Sequence, residues 1–396
     1  MGYLCKYLRL NGWEPVIVTE YIEEDTFSFL CDDLEVTRVR FGGKKGWAGK
    51  MEWGWIFLRD MLFGYKDRRM YREALKLTQN RHFNLVLCST FRTFPMRSAW
   101  RLARKKQLPL IVDLRDILEQ YAGTEFIIRK IPKILNIDKL IVSSFRRKSL
   151  KIRNGILRRA AAVTTVSPWH VSVLQVYNVN THLIYNGYDP ELFYPSDIKT
   201  ETFYISYTGR LYSLAMRDPD LLFQAVKRLA DDGVISPDLF QIRWFVDDKS
   251  ERAIIHAASK YAGVDAYMTF FGYIPASDVP RVLYESSMIL LLTNKSDANG
   301  PKGIMTTKFF ESLAVGKPIL CVRGDEGCLE EVINRTRSGL SAHNAEEVYH
   351  FVKEHFLRWK ENKPYTDQSD KEEIRKFSRE TQAKQFIGLF EQTLDS

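Results

Sequence analysis

The sequence has few of the residues from which disulfides or metal centres are built. Its five cysteines are odd in number and widely scattered (Cys5, Cys31, Cys88, Cys321 and Cys328), and none forms a Cys-x-x-Cys pair. Its seven histidines show no metal-ligand spacing. This usage excludes a disulfide framework and is typical of reduced thiols in a cytosolic protein, and we expect no metal site.

Long hydrophobic runs and the signatures of several enzyme classes are missing too. The longest apolar runs, such as 288–293, have the length of a strand and fall far short of the ~18 residues that cross a bilayer. The start, MGYLCK, has neither an apolar signal region nor the Ser or Thr that myristoylation needs. No Walker loop and no Gly-x-Ser-x-Gly occurs, and we interpret GGKKG at 42–46 as a flexible basic loop. We therefore expect a cytoplasmic protein.

What remains is the composition of an ordinary globular protein with an excess of positive charge. The 396 residues are 45% hydrophobic and 27% charged, and at about 150 residues per domain they predict two domains. The net charge of +9 predicts an anionic partner, which is a nucleic acid, a membrane surface or a phosphorylated small molecule. No recognisable nucleic-acid-binding module accompanies this charge, so we expect no nucleic-acid partner.

Short β-branched and aromatic runs alternate with helical patterns along the chain, which predicts parallel sheets covered by helices. The predicted strands form two series, at 15–19, 35–39, 84–88, 108–113, 161–166 and 181–185, then at 203–208, 241–246, 267–271, 288–293 and 318–322. A turn-rich segment places the boundary near 197, which gives an N-terminal domain at 1–197 and a C-terminal domain at 198–363. Residues 364–396 should form a helical tail that packs back across both domains.

The N-terminal domain departs from the usual pattern. A doubly wound domain opens with a strand and a glycine-bearing turn, but this chain begins in an amphipathic helix and reaches its first strand at 15–19. We therefore expect an α/β protein with two Rossmann-like, doubly wound domains, the first of which lacks its first strand. A truncated start site would explain the missing strand.

The strongest motif lies at 303–322 and reads GIMTTKFFESLAVGKPILCV. Lys308 and Glu311 stand three residues apart on one face of a predicted helix, which ends at Gly316 before the next strand. At the carboxyl end of a sheet, a carboxylate such as Glu311 can accept two hydrogen bonds from a ribose diol. The alternative is an exposed helix residue without a ligand.

This motif resembles the donor-binding signature of family 4 glycosyltransferases, which have the GT-B fold. That signature reads Glu, seven residues, Glu, then Ala-x-Gly-x-Pro. Glu311 matches the second glutamate, which in that family binds the nucleotide ribose, while Gly303 stands at the position of the first. Other segments match the family in the same order: AAVTTVS at 161–167, IYNGYD at 184–189, ISYTGRL at 205–211, RDP at 217–219 and FFGYIP at 270–275.

The resemblance implies a UDP- or GDP-sugar as donor substrate and no cofactor. GT-B enzymes hold the diphosphate with arginines, lysines and helix N-termini, so the resemblance also implies metal-independent and retaining transfer. The donor-binding residues that we predict are Gly209, Arg210, Arg217, Tyr273, Ile274, Lys308 and Glu311. For Arg210 and Arg217, the alternative is a surface role.

On the N-terminal side, VDLRD at 112–116 resembles the Asp-Phe-Arg-Asp of one branch of the family. It lies at the carboxyl end of a predicted strand, and we predict catalytic or acceptor-side roles for Asp116 and Arg115. The alternative is an Asp/Arg network that caps the next helix. A metal site on Asp113 and Asp116 in a GT-A fold would leave the second strand series unexplained. His170, at the start of a helix, we interpret as structural.

One segment accounts for the basic excess. Residues 125–160 hold eleven basic and two acidic residues, and their net charge of +9 equals that of the whole chain. Apolar residues are interleaved with these cations, so the segment predicts a basic amphipathic element that lies on anionic lipid at the inner face of the plasma membrane. The alternative is a solvated helix whose apolar stripe packs on its own sheet.

These expectations combine in one predicted function. The chain would be a glycosyltransferase that moves a sugar from a nucleotide-diphosphate sugar to a saccharide or a polyprenyl-linked glycan. The resemblance points to capsular, O-antigen or exopolysaccharide biosynthesis. Two alternatives stay open: a nucleotide-sugar 2-epimerase of the same fold, and a truncated, non-catalytic scaffold.

Overall fold

The computed structural model describes residues 2–22, 33–91, 93–120, 137–211, 214, 217–293, 303–324, 327–363 and 368–395, with 137–141 described by their backbone alone. The chain divides into two compact units, residues 1–185 with 382–396 and residues 186–381. This division differs from the predicted boundary near 197, because the segment after residue 185 bonds to the second unit. Asn186 Nδ2 donates to the carbonyl of Met305 (3.0 Å), and the Ser196 amide donates to the carbonyl of Val315 (3.2 Å). The predicted tail at 364–396 is divided between the two units: residues up to 381 belong to the second unit and residues 382–396 to the first.

The first unit consists of two parallel sheets and the helices around them. Its elements are α1 (Gly2–Leu10), β1 (Val16–Glu20), β2 (Glu35–Val39), α2 (Gly46–Phe63), α3 (Tyr65–Leu77), β3 (Val86–Thr90), α4 (Met96–Lys106), β4 (Leu110–Leu114), α5 (Ile137–Leu157), β5 (Ala162–Thr165), α6 (Pro168–Leu174) and β6 (Thr181–Leu183). The smaller sheet pairs β1 with β2, and the larger follows the order β3-β4-β5-β6. Val112 in β4 and Val163 in β5 are fully buried, as expected for strands covered on both faces.

The strand orders of the two sheets can be compared with that of a doubly wound domain. In the doubly wound order 3-2-1-4-5-6, the first strand pairs with the second on one side and with the fourth on the other. Here the described strands read β2-β1 in one sheet and β3-β4-β5-β6 in the other, so the interruption falls at the position that the first strand has in that order. Among the described residues, β1 and β3 each pair with one neighbour, and most of their side chains are only half-buried.

The second unit contains one six-stranded parallel sheet. Its elements are β7 (Phe203–Thr208), α7 (Asp220–Asp231), β8 (Phe240–Phe245), α8 (Asp248–Ala258), β9 (Met268–Phe270), α9 (Val279–Tyr284), β10 (Met288–Leu292), α10 (Thr307–Val315), β11 (Ile319–Val322), α11 (Gly327–Thr336), β12 (Gly339–Ala342), α12 (Ala345–Lys360) and α13 (Lys371–Arg375), and α14 (Arg379–Leu394) follows. The order β12-β11-β10-β7-β8-β9 is the complete doubly wound order, whose switch point lies between β7 and β10. Aromatic rings fill its core, where Phe203 lies 5.7 Å from both Phe240 and Phe356 between ring centroids.

All eleven predicted strands are present, with ends that differ by at most two residues. The prediction missed the edge strand β12, whose sequence GLSA has no β-branched residue. Gly339 is required at its start, because a Cβ atom there would lie 1.9 Å from the carbonyl oxygen of Ile319 on β11. Side-chain bulk would therefore separate the two strands.

The basic segment at 125–160 is described in part, since residues 121–136 lie outside the described residues. In α5, Arg153 pairs with Glu119 (Nη1 to Oε2, 2.6 Å) and Arg146 donates to the carbonyl of Leu118 (3.1 Å). Ile156 and Leu157 are buried in the core of the unit. The described apolar residues at the end of α5 thus pack on their own sheet, as the alternative interpretation expected.

Candidate functional site

The switch point of the second sheet, between β7 and β10, is where a ligand is expected, because open α/β sheets bind ligands outside the carboxyl ends of their strands at such a point. Gly209 follows β7 and Thr293 follows β10. A small depression at this edge is lined in part by Arg217, Thr293 and Thr306. The residues around it come from the second unit alone.

Lys308, in the first turn of α10, reaches back to the end of β7. Its ammonium donates to the carbonyl of Thr208 (2.6 Å) and occupies the space beside Gly209. A Cβ atom on Gly209 would lie 1.4 Å from Lys308 Nζ, and the φ angle of this glycine is +118°, which other residues rarely adopt. Burial lowers the pKa of Lys308 to about 8, the cations of Arg217 and Arg210 lower it too, and Glu311 opposes them.

Two arginines flank this lysine. Arg217 Nη1 donates to the carbonyl of Arg210 (2.6 Å) and to the hydroxyl of Tyr207 (3.3 Å), which itself donates to the Arg210 carbonyl (3.0 Å). The Arg210 guanidinium lies 5.5 Å from the ring centroid of Tyr273, and its Nε lies 3.5 Å from a carboxylate oxygen of Asp247. Arg217 is thus anchored by the β7 loop, while the Arg210 side chain remains largely exposed.

Glu311 lies one turn after Lys308 on α10. Burial raises the pKa of its carboxyl, and the cations of Arg379 and Lys308 oppose that rise. Within the part of the chain that the structure describes, no group donates a hydrogen bond to this carboxylate. A half-buried carboxyl group that lacks a protein donor can accept hydrogen bonds from a ligand.

The structure brings most of the predicted donor residues together. Contacts or mutual charge effects connect Gly209, Arg210, Arg217, Tyr273, Lys308 and Glu311. Ile274 is half-buried next to Tyr273 in the chain. Their roles toward a ligand stay predictions, because these contacts are all made within the protein.

The sequence reasoning missed three residues that shape this site. Tyr207 holds Arg217, Asp247 faces Arg210, and Asp218 lies 3.4 Å from the guanidinium of Arg323. Tyr207 lies in the predicted strand 203–208, two positions before the Gly-Arg turn, and its hydroxyl lies beside that turn. Asp247 caps α8 through the Ser250 amide, a pattern that can be seen in the sequence.

The acceptor-side residues of the first unit are engaged in a buried network. Asp113 is fully buried, and its carboxylate accepts from the hydroxyls of Ser89 (2.7 Å) and Thr164 (2.8 Å) and from Arg115 Nε (2.8 Å). Arg115 Nη1 also donates to the carbonyl of Ile184 (3.3 Å). These bonds fix the side chain of Arg115 against the carboxyl end of β4.

Asp116 and His170 lie in the same unit and are differently placed. Asp116 accepts a hydrogen bond from Gln120 Nε2 (2.9 Å), and burial raises the pKa of its carboxyl. His170 is fully buried, its Nδ1 lies 3.1 Å from Thr165 Oγ1, and burial lowers its pKa to about 4. We therefore describe His170 as a neutral, structural imidazole, whereas a role of Asp116 toward a ligand stays a prediction.

No protein-family model matches the chain, and no curated protein matches it by sequence. Solved structures match its fold, which is the two-domain GT-B fold, and the predicted fold class is confirmed. A sucrose-phosphate synthase from Thermosynechococcus elongatus is 14% identical with a TM-score of 0.63, covering 98% of this chain and 91% of that one. A glycosyltransferase from Rickettsia africae is 15% identical with a TM-score of 0.63, covering 99% and 93%. Anabaena HepE, solved with UDP-glucose, is 12% identical with a TM-score of 0.60, covering 99% and 96%.

Proposed function

We propose that the chain is a glycosyltransferase whose donor, a UDP- or GDP-sugar, binds at the switch point of the second unit. The observation that carries the proposal is the cluster of three cations, Lys308, Arg217 and Arg210, beside the Glu311 carboxyl group. Cations suit a diphosphate, and a carboxylate suits a ribose diol. Solved structures with the same fold support the choice of donor, since HepE was solved with UDP-glucose and Staphylococcus aureus MnaA with UDP.

In the proposed reaction, the bond between the sugar C1 and the diphosphate oxygen breaks while an acceptor hydroxyl forms a new bond to C1. The departing diphosphate keeps the bonding electron pair and takes up the proton that the acceptor releases. Arg210, Arg217 and Lys308 would stabilise the negative charge that grows on the diphosphate. Near neutral pH, Lys308 is mostly protonated with its pKa of about 8. Retention at C1 and transfer without a metal ion are parts of this proposal that rest on the family resemblance.

The acceptor in this proposal is a saccharide or a polyprenyl-linked glycan of a surface polysaccharide pathway. Asp116 would orient a sugar hydroxyl in the first unit, and Arg115 would act mainly through Asp113, to which it is bonded. The basic segment at 125–160 would place the protein on the inner face of the plasma membrane, where lipid-linked acceptors are found.

Calorimetry on the full chain with UDP, GDP and their sugars tests the donor site. We expect one nucleotide class to bind, and Glu311→Ala to weaken this binding about tenfold, because the ribose loses its acceptor. Glu354→Ala, an exposed glutamate of α12 in the same unit, is the matched control and should bind as the unaltered chain does. Absence of nucleotide binding, or equal binding by Glu311→Ala, contradicts the site. Inversion at C2 of the donor without any acceptor would instead indicate an epimerase.

A further inference from the structure

Helix α2 of the first unit presents a long apolar stripe to solvent. Trp47, Met51, Trp55, Leu58 and Leu62 follow one another at spacings of four, four, three and four residues, so they lie on one face of the helix. Between 40% and 77% of each of these residues is exposed. The helix has 18 residues and is therefore about 27 Å long, and the stripe runs along nearly all of it.

The opposite face of α2 accounts for its packing on the unit. Gly49 and Ile56 are the buried residues of the helix, and Trp53 and Asp60 on the same side are half-buried. A Cβ atom on Gly49 would lie 2.3 Å from the carbonyl oxygen of Lys44, so the chain before the helix packs closely against it. The unit thus uses a narrow face of α2 and leaves the broad apolar face outside.

The acidic residues of α2 are turned away from the stripe. Glu52 Oε2 accepts from the backbone amides of Gly43 (3.0 Å) and Lys44 (2.9 Å), and these bonds lower the pKa of its carboxyl. They also anchor Gly43 and Lys44 within the loop at 42–46, where the sequence predicts flexibility. Asp60 accepts from the amide of Lys66 (2.8 Å) on the packed side. The exposed face therefore combines apolar groups with the cations of Lys50 and Arg59 at its margins.

The basic helix α5 meets the end of α2. Lys148 Nζ donates to the carbonyl of Met61 (2.9 Å), which places α5 beside the last turns of the apolar stripe. Arg147 and Lys151 lie within one turn of Lys148 and are exposed. An exposed apolar stripe with two tryptophans, flanked by the cations of α2 and α5, suits contact with an anionic membrane surface.

We propose that α2 is a membrane-surface helix, which inserts Trp47, Trp55 and its apolar stripe among the headgroups of anionic lipids while the cations of α5 contact the phosphates. A second copy of the chain is a poorer occupant, because a symmetric contact through this face would bring the like charges of Lys148 and its neighbours together. Among the described residues, no helix is long and apolar enough to span the bilayer, and α2 carries four charged residues, so it would lie on the surface. This proposal does not depend on the proposed glycosyl transfer.

Vesicle sedimentation of the full chain tests the proposal without any nucleotide. Vesicles of phosphatidylcholine with phosphatidylglycerol should bind the chain at least about tenfold more tightly than vesicles of phosphatidylcholine alone. The double variant Trp55→Glu/Leu58→Glu should lose about tenfold or more of the binding to the anionic vesicles, because two apolar contacts become negative charges. The variant Lys148→Glu should lose mainly the salt-dependent part.

The matched control is Val176→Glu/Val179→Glu, which replaces two apolar residues of the first unit that are 76% and 95% exposed and lie outside α2. It should bind vesicles as the unaltered chain does, and circular dichroism of both double variants should be unchanged. Absence of binding to anionic vesicles, or equal losses in the two double variants, would overturn the proposal. So would a dimer in lipid-free solution that Trp55→Glu/Leu58→Glu converts to a monomer, since α2 would then bind a second copy.

Discussion

Replacing Gly209 with alanine should displace Lys308 without altering any charged side chain of the proposed donor site. The new Cβ atom would lie 1.4 Å from Lys308 Nζ and 2.7 Å from its Cε, so the lysine has to leave its place beside β7. It would also lose the bond to the carbonyl of Thr208. The Lys308 ammonium would then no longer be held beside Arg210 and Arg217 in the proposed donor site.

Two separate costs follow from this substitution, and they can be measured separately. A residue other than glycine at φ +118° is strained by about 1–3 kcal/mol, which lowers the free energy of unfolding. A hydrogen bond that involves a charged group contributes about 1.5–3 kcal/mol, so loss of the lysine from the diphosphate should weaken nucleotide binding about tenfold to a hundredfold. The first cost is independent of Lys308, and the second depends on it entirely.

A double-mutant cycle separates the two costs. Nucleotide affinity by calorimetry and unfolding by urea are measured for Gly209→Ala, Lys308→Ala and the double variant. We expect Gly209→Ala to weaken binding in the unaltered chain but to have little further effect once Lys308 is alanine. The loss of stability should appear in both backgrounds, because the backbone strain remains.

The control is Gly233→Ala, at another glycine of the second unit with positive φ (+67°), whose Cβ would meet no atom within 4 Å. It should cost stability through strain and leave nucleotide affinity unchanged. If Gly209→Ala weakens binding by the same factor whether or not Lys308 is present, the alanine acts on the site directly, and the account of Gly209 as the space for Lys308 is refuted.

Three further outcomes are expected. Nucleotide affinity should fall as the pH rises through about 8, because Lys308 then loses its proton, and calorimetry should show no such inflection in Lys308→Ala. The free energy of unfolding should fall by about 3 kcal/mol as the pH drops from 6.5 to about 4, because the histidine is protonated in the unfolded chain while buried His170 stays neutral in the folded chain. Urea unfolding of His170→Gln should show a flatter pH dependence. Gly339→Ala should lower the free energy of unfolding by more than about 2 kcal/mol, because the new Cβ atom pushes β12 away from β11. Gly388→Ala in α14 should raise the free energy of unfolding by about 0.5–1 kcal/mol, because its Cβ atom meets open space and alanine favours the helix.

The strands of the second sheet were predictable because short apolar, β-branched runs between turn signals leave few alternatives. β7 agrees with its predicted range at both ends, and β10 ends one residue early. β12 was not predictable in the same way, since its glycine is explained only by the approach of the Ile319 carbonyl on another strand. Helix α2 shows the opposite limit: its sequence is apolar on nearly every side, which normally indicates a buried helix, but the unit covers only one of its faces.

The composition of the candidate site followed from one motif and its neighbours, but its internal contacts did not. The spacing of Lys308 and Glu311 predicts that they share a face of α10, and the structure has them one turn apart. Thr208 and Lys308 are 100 residues apart in the sequence. No local pattern therefore indicates that the Lys308 ammonium donates a hydrogen bond to the Thr208 carbonyl. Such contacts depend on the order of the strands in the sheet, which is a property of the whole unit.

The basic segment shows that a cluster of cations in the sequence need not form a cluster of cations on the protein surface. Arg153 and Arg146 bond to Glu119 and to the carbonyl of Leu118, so these two cations stabilise the unit rather than face a membrane. The end of α5 likewise turns its apolar residues into the core. In the proposed membrane contact, α5 therefore supplies charge while α2 supplies apolar area. It follows that variants of α5 should change how vesicle binding depends on salt, whereas variants of the α2 stripe should weaken binding at every salt concentration.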